Sequence, residues 1–365
     1  MPSTRWCALV GLLCTSLLVQ SCAPTDARRD DSSTAVGAAR RMMELTGAGA
    51  TFPYPLYSRW FNEYAQLAPL RINYQSIGSG AGIRQVVTGT VDFGASDVPM
   101  SDTELAAAGE PILHIPMIIG AVAITYNLPE LTAPLRLSGT VLADIFLGRI
   151  TRWNDARIAA DNPGAPLPAR DILVVHRADG GGTSFIFSEY LTAVSPEWAR
   201  GPGRSRDVAW PVGIGSRGNE GVAGQVKQVI GTIGYLEVVY ARQNHLPVVH
   251  VRNRAGRFIS PMPFEIASAA IDAAADTSLR ATLVDAAGLH AYPLASYTWM
   301  LVAPQRLGAT RTRMLLEFVR WALTDGSDIA SRMGYVPLPS STAVRVLNQV
   351  DRLAASQTAT QAPRR

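Results

Sequence analysis

Four times along this chain a stretch rich in glycine and small polar residues runs directly into a helical period. The stretches are TGAGATFPYPLYSRW (46–60), SIGSGAGIRQVVTG (76–89), VDFGASDVPMSDTEL (91–105) and DILVVHRADGGGTSFIFSEYLTAV (171–194). A strand that turns through glycines into a helix directs successive backbone N–H groups, and the positive end of the helix dipole, at whatever lies before the helix. The fourth stretch is the plainest. ILVVH is rich in β-branched residues and TSFIFSEYLTAV has helical spacing, so the three glycines form a strand-to-helix junction rather than a linker. A nucleotide loop needs G-x-x-x-x-G-K-[ST], but the only lysine of the chain is Lys227, and G-x-G-x-x-G fails as well. For a single loop, a turn that serves only helix-on-strand packing stays open. Four loops, carrying Thr51, Ser79, Ser96 with Asp97, and Thr183 near their tips, point instead to helix N-termini converging on one anion. Thr51 itself reads either as an N-cap ahead of Pro53 and Pro55 or as a ligand hydroxyl beside the Phe52 N–H.

The rest of the chain fits an α/β architecture with largely parallel sheets. Strand-like runs fall at 71–74, 91–95, 121–126, 172–176, 232–236 and 298–303. Tyr57, Trp60, Phe61 and Tyr64 make one helical face, Leu315, Phe318, Val319 and Ala322 another, and Ser101 to Glu104 spell a capping box. About 310 folding residues, 44–353, are at the upper edge of what one core supports, which favours two lobes. Ahead of them, residues 1–21 read as an export signal, whose apolar run is shorter than the roughly 20 residues of a membrane span. LVQSC resembles a lipobox, with Cys22 as the lipidated residue, and 22–43 reads as a flexible tether. Cys7 and Cys14 leave with the signal, so no disulfide or cysteine metal cluster is expected. Residues 354–365 are expected to be a disordered tail.

Several chemistries are excluded. The net charge of +4 is spread over single basic residues, unlike a nucleic-acid-binding face. His114, His176, His245, His250 and His290 are dispersed and sit in no catalytic or zinc motif, and no acidic cluster would hold a metal. No catalytic residue, cofactor or metal is expected, and a phosphoesterase using Ser79 or Thr183 as nucleophile lacks a recognisable base.

TGAGATFP, NYQSIGSGAG, VDFGASDVPMSD, LADIFLGRITRWND, RADGGGTSF and IGYLEVVYA, in this order and spacing, resemble the periplasmic phosphate-binding protein of the bacterial phosphate ABC importer. The resemblance runs from about 45 to 339. It implies a two-lobed periplasmic binding protein fold of type II, each lobe a mainly parallel sheet flanked by helices, with the ligand cleft between them. Lobe I would comprise 44–120 and 291–353, and lobe II 121–290. Carried over motif by motif, Thr51 and Phe52 would bind inorganic phosphate through N–H groups and the threonine hydroxyl. Ser79 would bind through hydroxyl and N–H, and Asp97 through its carboxylate. Arg177, Gly181, Gly182 and Thr183 would close the site from the other lobe, with Asp179 pairing Arg177. Gly181 stands where the family usually has serine, so one hydroxyl donor is missing. Asp97 can only accept a hydrogen bond, which suits an oxyanion that still carries a proton and disfavours sulfate. The implied partners are inner-membrane permeases of the importer and the membrane itself through the lipid, for a monomeric receptor. A receptor for a sulfate-like oxyanion is the alternative.

Overall fold

The computed structural model describes residues 42–271 and 279–359. The stretches read as an export signal and a tether, with Cys22, lie outside the described residues as far as residue 41, as do 360–365. Eleven strands are described: β1 (Met43–Gly49), β2 (Leu70–Ser76), β3 (Phe93–Ser96), β4 (Leu113–Tyr126), β5 (Arg136–Leu137), β6 (Leu173–Arg177), β7 (Ile214–Ser216), β8 (Thr232–Glu237), β9 (His250–Arg252), β10 (Phe258–Ile259) and β11 (Ala295–Val302). Eight of them form one continuous order, β2-β1-β3-β11-β4-β8-β6-β7, and β10-β9-β5 form a small second sheet.

The flanks of the large sheet are parallel, β1 with β2 and β3, and β6 with β7 and β8, as strand–loop–helix units require. Its centre is antiparallel, with β11 against β3 and β4, and β4 against β8. The expectation of largely parallel pairing is corrected there, because β4 and β11 are crossing strands rather than members of a strand–helix–strand unit. β4 pairs with β11 over its first part, to Ala121, and with β8 from Val122 to Tyr126. The chain returns beside it: Leu294 O accepts from the Val122 N–H, and Ala295 of β11 faces Ala121. The result is a two-lobed α/β fold hung on these two crossings. Both strands are almost wholly buried, which explains their mainly apolar sequences.

β4 is longer than the 121–126 read from the sequence. Pro116 argues against a strand because it cannot donate to a ladder. Here it lies opposite Trp299, at the register shift between Thr298 and Trp299, an irregularity where a missing N–H is tolerated.

The two helical faces hold as read. Helix Tyr54–Leu67 buries Tyr57, Trp60, Phe61 and Tyr64, and helix Ala309–Leu323 buries Leu315, Phe318, Val319 and Ala322, with Phe318 set against Phe61 and Tyr64. Ser101 and Glu104 form the capping box of helix Asp102–Ala108. The C-terminal expectation is corrected: helix Ser340–Ala359 continues past residue 353. Val346 and Val350, one turn apart, are buried, and the following alanines are strong helix formers. None of the described helices is long and apolar enough to cross a membrane.

Candidate anion-binding site

The four glycine loops meet. Thr51, Ser79, Asp97, Arg177 and Thr183 are all buried, although they come from both halves of the sheet. Ser79 and Gly182 are the first residues of helices Ser79–Thr88 and Gly182–Val194, so their amides and the Thr183 amide belong to first turns, where N–H groups lack intrahelical acceptors. The loops touch across the cleft. The Gly80 N–H donates to Gly180 O at 2.9 Å. A Cβ on Gly182 would lie 2.4 Å from Asp97 Oδ2 and 2.6 Å from Ser79 Oγ, so only glycine permits this approach.

Arg177 ends β6 with its side chain held in place. Its Nε and one terminal nitrogen donate to Asp179 at 2.7 and 2.5 Å, and the other terminal nitrogen donates to Thr183 Oγ1 at 2.7 Å. Burial pulls the Arg177 guanidinium down, but the Asp179 contacts outweigh it and hold the charge firmly. Burial pushes Asp179 up, and Arg177 together with the Gly218 N–H, which donates to Asp179 Oδ1 at 3.0 Å, holds it below the usual carboxylate range. The pair is therefore charged on both sides, leaving N–H groups of a planar cation for a further acceptor.

Gly181 has a physical reason to be glycine. A Cβ there would lie 2.7 Å from the Arg177 guanidinium carbon, so any side chain at this place would require the arginine, held by Asp179 and Thr183, to shift. The Gly181 N–H, expected from the sequence to face the ligand, donates to Arg206 O at 3.3 Å.

Asp97 follows β3 and is 2% exposed. Its Oδ1 accepts from Thr298 Oγ1 at 2.8 Å and its Oδ2 from Ser79 Oγ at 3.2 Å. Burial pushes its carboxyl up to about 7, against the Thr298 and Ser79 hydrogen bonds and the Arg177 charge, which pull it down. The reading that Ser79 has no base nearby is thus corrected. Asp97 is 18 residues away in sequence, and the pairing of β1 with β3 brings the two loops together.

Thr51 is not an N-cap. The cap of helix Tyr54–Leu67 is Pro53, which has no side-chain bond. Its hydroxyl accepts instead from Asn219 Nδ2 at 2.7 Å, and its carbonyl from Tyr240 Oη at 2.7 Å. Phe52 O accepts from Tyr335 Oη at 2.9 Å. The Thr51 and Phe52 amides donate to no protein acceptor among the described residues.

Sequence reasoning misses Asn219, Tyr240, Thr298, Tyr335 and Arg206. Two of them carry a local signal, Thr298 as a hydroxyl in a fully buried strand and Tyr240 as a member of IGYLEVVYA. Beside Asp97 a cavity of about 650 Å³ opens between the halves, its lining including Met100, Glu104, Arg206 and Trp299. Arg206 reaches across it to pair with Glu104. His114, by the same wall, accepts the Met100 N–H, and burial pulls it down to about 4, so it is neutral. Among the described residues no group of histidine, cysteine and acidic side chains could hold a metal ion.

Residues 26–326 match the PBP superfamily domain. The phosphate-binding protein PstS of Xylella fastidiosa is 41% identical over 340 residues, 90% of this chain and 92% of that protein. The phosphate-binding protein PstS of Pasteurella multocida is 42% identical over 308 residues, 84% of this chain and 89% of that protein. A crystal structure of the phosphate-binding protein from Stenotrophomonas maltophilia superposes with a TM-score of 0.62 at 22% identity, over 84% of this chain and 93% of that one, a likeness of fold.

Proposed function

The chain belongs to the PBP superfamily, among its PstS phosphate-binding proteins, and from that premise we propose that its cleft binds inorganic phosphate for delivery to an ABC importer, without catalysis. The observation that carries the reading is a buried ring of donors around one acceptor. The Thr51, Phe52, Ser79, Gly182 and Thr183 amides, the Thr51 and Ser79 hydroxyls and Arg177 are donors, and Asp97 is the acceptor. Helix N-termini meet the anion's lone pairs without a full counter-charge on each, and Arg177, tempered by Asp179, supplies the one full positive charge. Asp97 accepts the proton that phosphate keeps near neutral pH, which turns away an anion lacking one. Gly181 contributes close approach rather than a donor.

Lobe I is assigned to 44–120 and 291–353 and lobe II to 121–290, because the crossings near Ala121 and Leu294 are where opening would bend the chain. The lipobox-like run before Cys22 supports a receptor tethered to the cell envelope by lipid, which we take to act as a monomer presenting its lobes to the inner-membrane permeases. Titration calorimetry of the full chain with inorganic phosphate tests the reading, and no heat of binding at millimolar phosphate would end it.

The Ser79–Asp97 hydrogen bond supports a second reading, a phosphoesterase in which Asp97 takes the Ser79 proton. It requires release of phosphate from a chromogenic monoester, abolished by Ser79→Ala. The binding reading expects no turnover.

A further inference from the structure

Asn219 is wholly buried near the N-terminus of helix Gly218–Gln228, on the opposite side of the cleft from Thr51, and it makes two hydrogen bonds of opposite sense. Its Oδ1 accepts from the backbone N–H of Glu237, at the end of β8, at 3.0 Å. Its Nδ2 donates to Thr51 Oγ1 at 2.7 Å. The first bond fixes the second. A backbone N–H can only donate, so the amide oxygen must face Glu237 and the NH₂ must face Thr51. Thr51 Oγ1 is therefore an acceptor in this bond, and its own proton is left to point elsewhere. Among the described residues that proton meets no protein acceptor.

We propose that Asn219 is a positioning residue that makes the Thr51 hydroxyl a committed donor to the bound oxyanion when the two sides of the cleft come together. The inference rests on the phosphate reading and adds to it a residue outside the donor ring. A threonine hydroxyl left to itself can present either a proton or a lone pair to an anion, and only the first binds. With the cleft open, Asn219 is withdrawn and the hydroxyl is uncommitted. Closure supplies the amide and selects the binding orientation, so the bond between the lobes and the bond to the ligand reinforce each other.

The test is a double-mutant cycle on the full chain, read by calorimetry with inorganic phosphate. Asn219→Ala and Thr51→Val are each expected to weaken binding by about 10- to 150-fold, the span of one hydrogen bond to a charged group. The double variant should bind within about twofold of Thr51→Val alone, because both changes remove the same interaction. A purely structural role for Asn219 would make the losses multiply, and that outcome, or Asn219→Ala binding as tightly as the unaltered chain, overturns the proposal. Should Asn219→Ala fail to fold, Asn219→Asp keeps an acceptor for the Glu237 N–H while turning an oxygen toward Thr51. Its cost must then be smaller in the Thr51→Val background, where the added charge is the same but no hydroxyl is turned, and equal costs overturn the proposal. If the unaltered chain does not bind phosphate at all, the reading under it falls and takes this inference with it.

Discussion

Sulfate binding by this protein is expected to appear as the pH falls, while phosphate, which keeps a proton of its own above neutrality, needs none from Asp97 there. The cleft needs one proton between Asp97 and the anion. Phosphate brings that proton, whereas sulfate near neutrality does not and must find it on Asp97. Forcing sulfate against the ionised carboxylate places like charges about 4 Å apart, which at an effective dielectric constant of about 20 costs about 4 kcal/mol. Protonating Asp97, whose carboxyl burial pushes up to about 7, costs only about 1.4 kcal/mol at about pH 8. Protonation is cheaper up to about pH 10, so sulfate binds through the protonated carboxyl across the accessible range. Its apparent affinity then follows the protonated fraction, roughly one half at pH 7, a tenth at pH 8 and a hundredth at pH 9. Calorimetry with each anion at about pH 6, 7.5 and 9, at fixed ionic strength, should show a sulfate dissociation constant rising close to 100-fold between the extremes. Asp97→Asn, a donor at every pH, should erase that slope and raise sulfate affinity at pH 9. A sulfate affinity that is flat with pH, or a slope that survives Asp97→Asn, refutes the assignment of Asp97 as the proton-sensing acceptor.

The same group sets a stability trend. Its folded pKa lies above its ordinary 3.8, so its stabilisation is complete below about pH 4 and is lost as pH rises through about 7. Urea melts of the unliganded chain should show stability falling over that window by up to about 4 kcal/mol from Asp97, and Asp97→Asn should flatten its share and leave that of Glu237, which burial also pushes up. Glu104→Gln keeps a capping-box side chain but removes the charge that pairs with Arg206 across the cleft. Both side chains are about one-fifth to one-quarter exposed, so the expected effect is a rise in the phosphate off-rate of no more than about fivefold, read by stopped flow. Gly181→Ser puts a Cβ against the Arg177 guanidinium, and thermal melts of the unliganded chain should register a loss of about 1–3 kcal/mol.

How far the sequence foretells this site depends on distance along the chain. Each of Thr51, Ser79, Asp97 and Thr183 sits at the mouth of a strand-to-helix loop, and a loop is a local object with local chemistry. Their convergence could be expected from repetition alone. Which groups they touch could not. Asn219 reaches Thr51 over 168 residues and Thr298 reaches Asp97 over 201, and neither belongs to a motif. Pro116 argues locally against more than half of β4, while the register shift that absorbs it, with Met117 skipped between the Thr298 and Trp299 pairings, is visible only against β11. The tail past 353 misled for the converse reason. Small polar residues read as disorder in isolation, yet they extend a helix already anchored by Val346 and Val350.

Polarity is what the sequence could least reveal. A hydroxyl is donor and acceptor at once, so serine and threonine at four loop tips do not specify an anion site. In the folded chain three of these hydroxyls accept a hydrogen bond from the protein: Thr51 from Asn219, Thr183 from Arg177, and Ser79 from the Asp97 N–H at 3.3 Å. The protons of Thr51 and Thr183 are thereby turned away from these donors. Ser79 alone has an internal acceptor for its own proton, Asp97 Oδ2, and it is the one hydroxyl that must give up a protein bond to meet a ligand. A ligand that also donates to Asp97 replaces that bond as it takes the Ser79 proton, whereas one with no proton leaves the carboxylate short of a donor. Selection against the wrong oxyanion therefore resides in the exchange at the Ser79–Asp97 pair, and the remaining donors contribute affinity common to any tetrahedral anion.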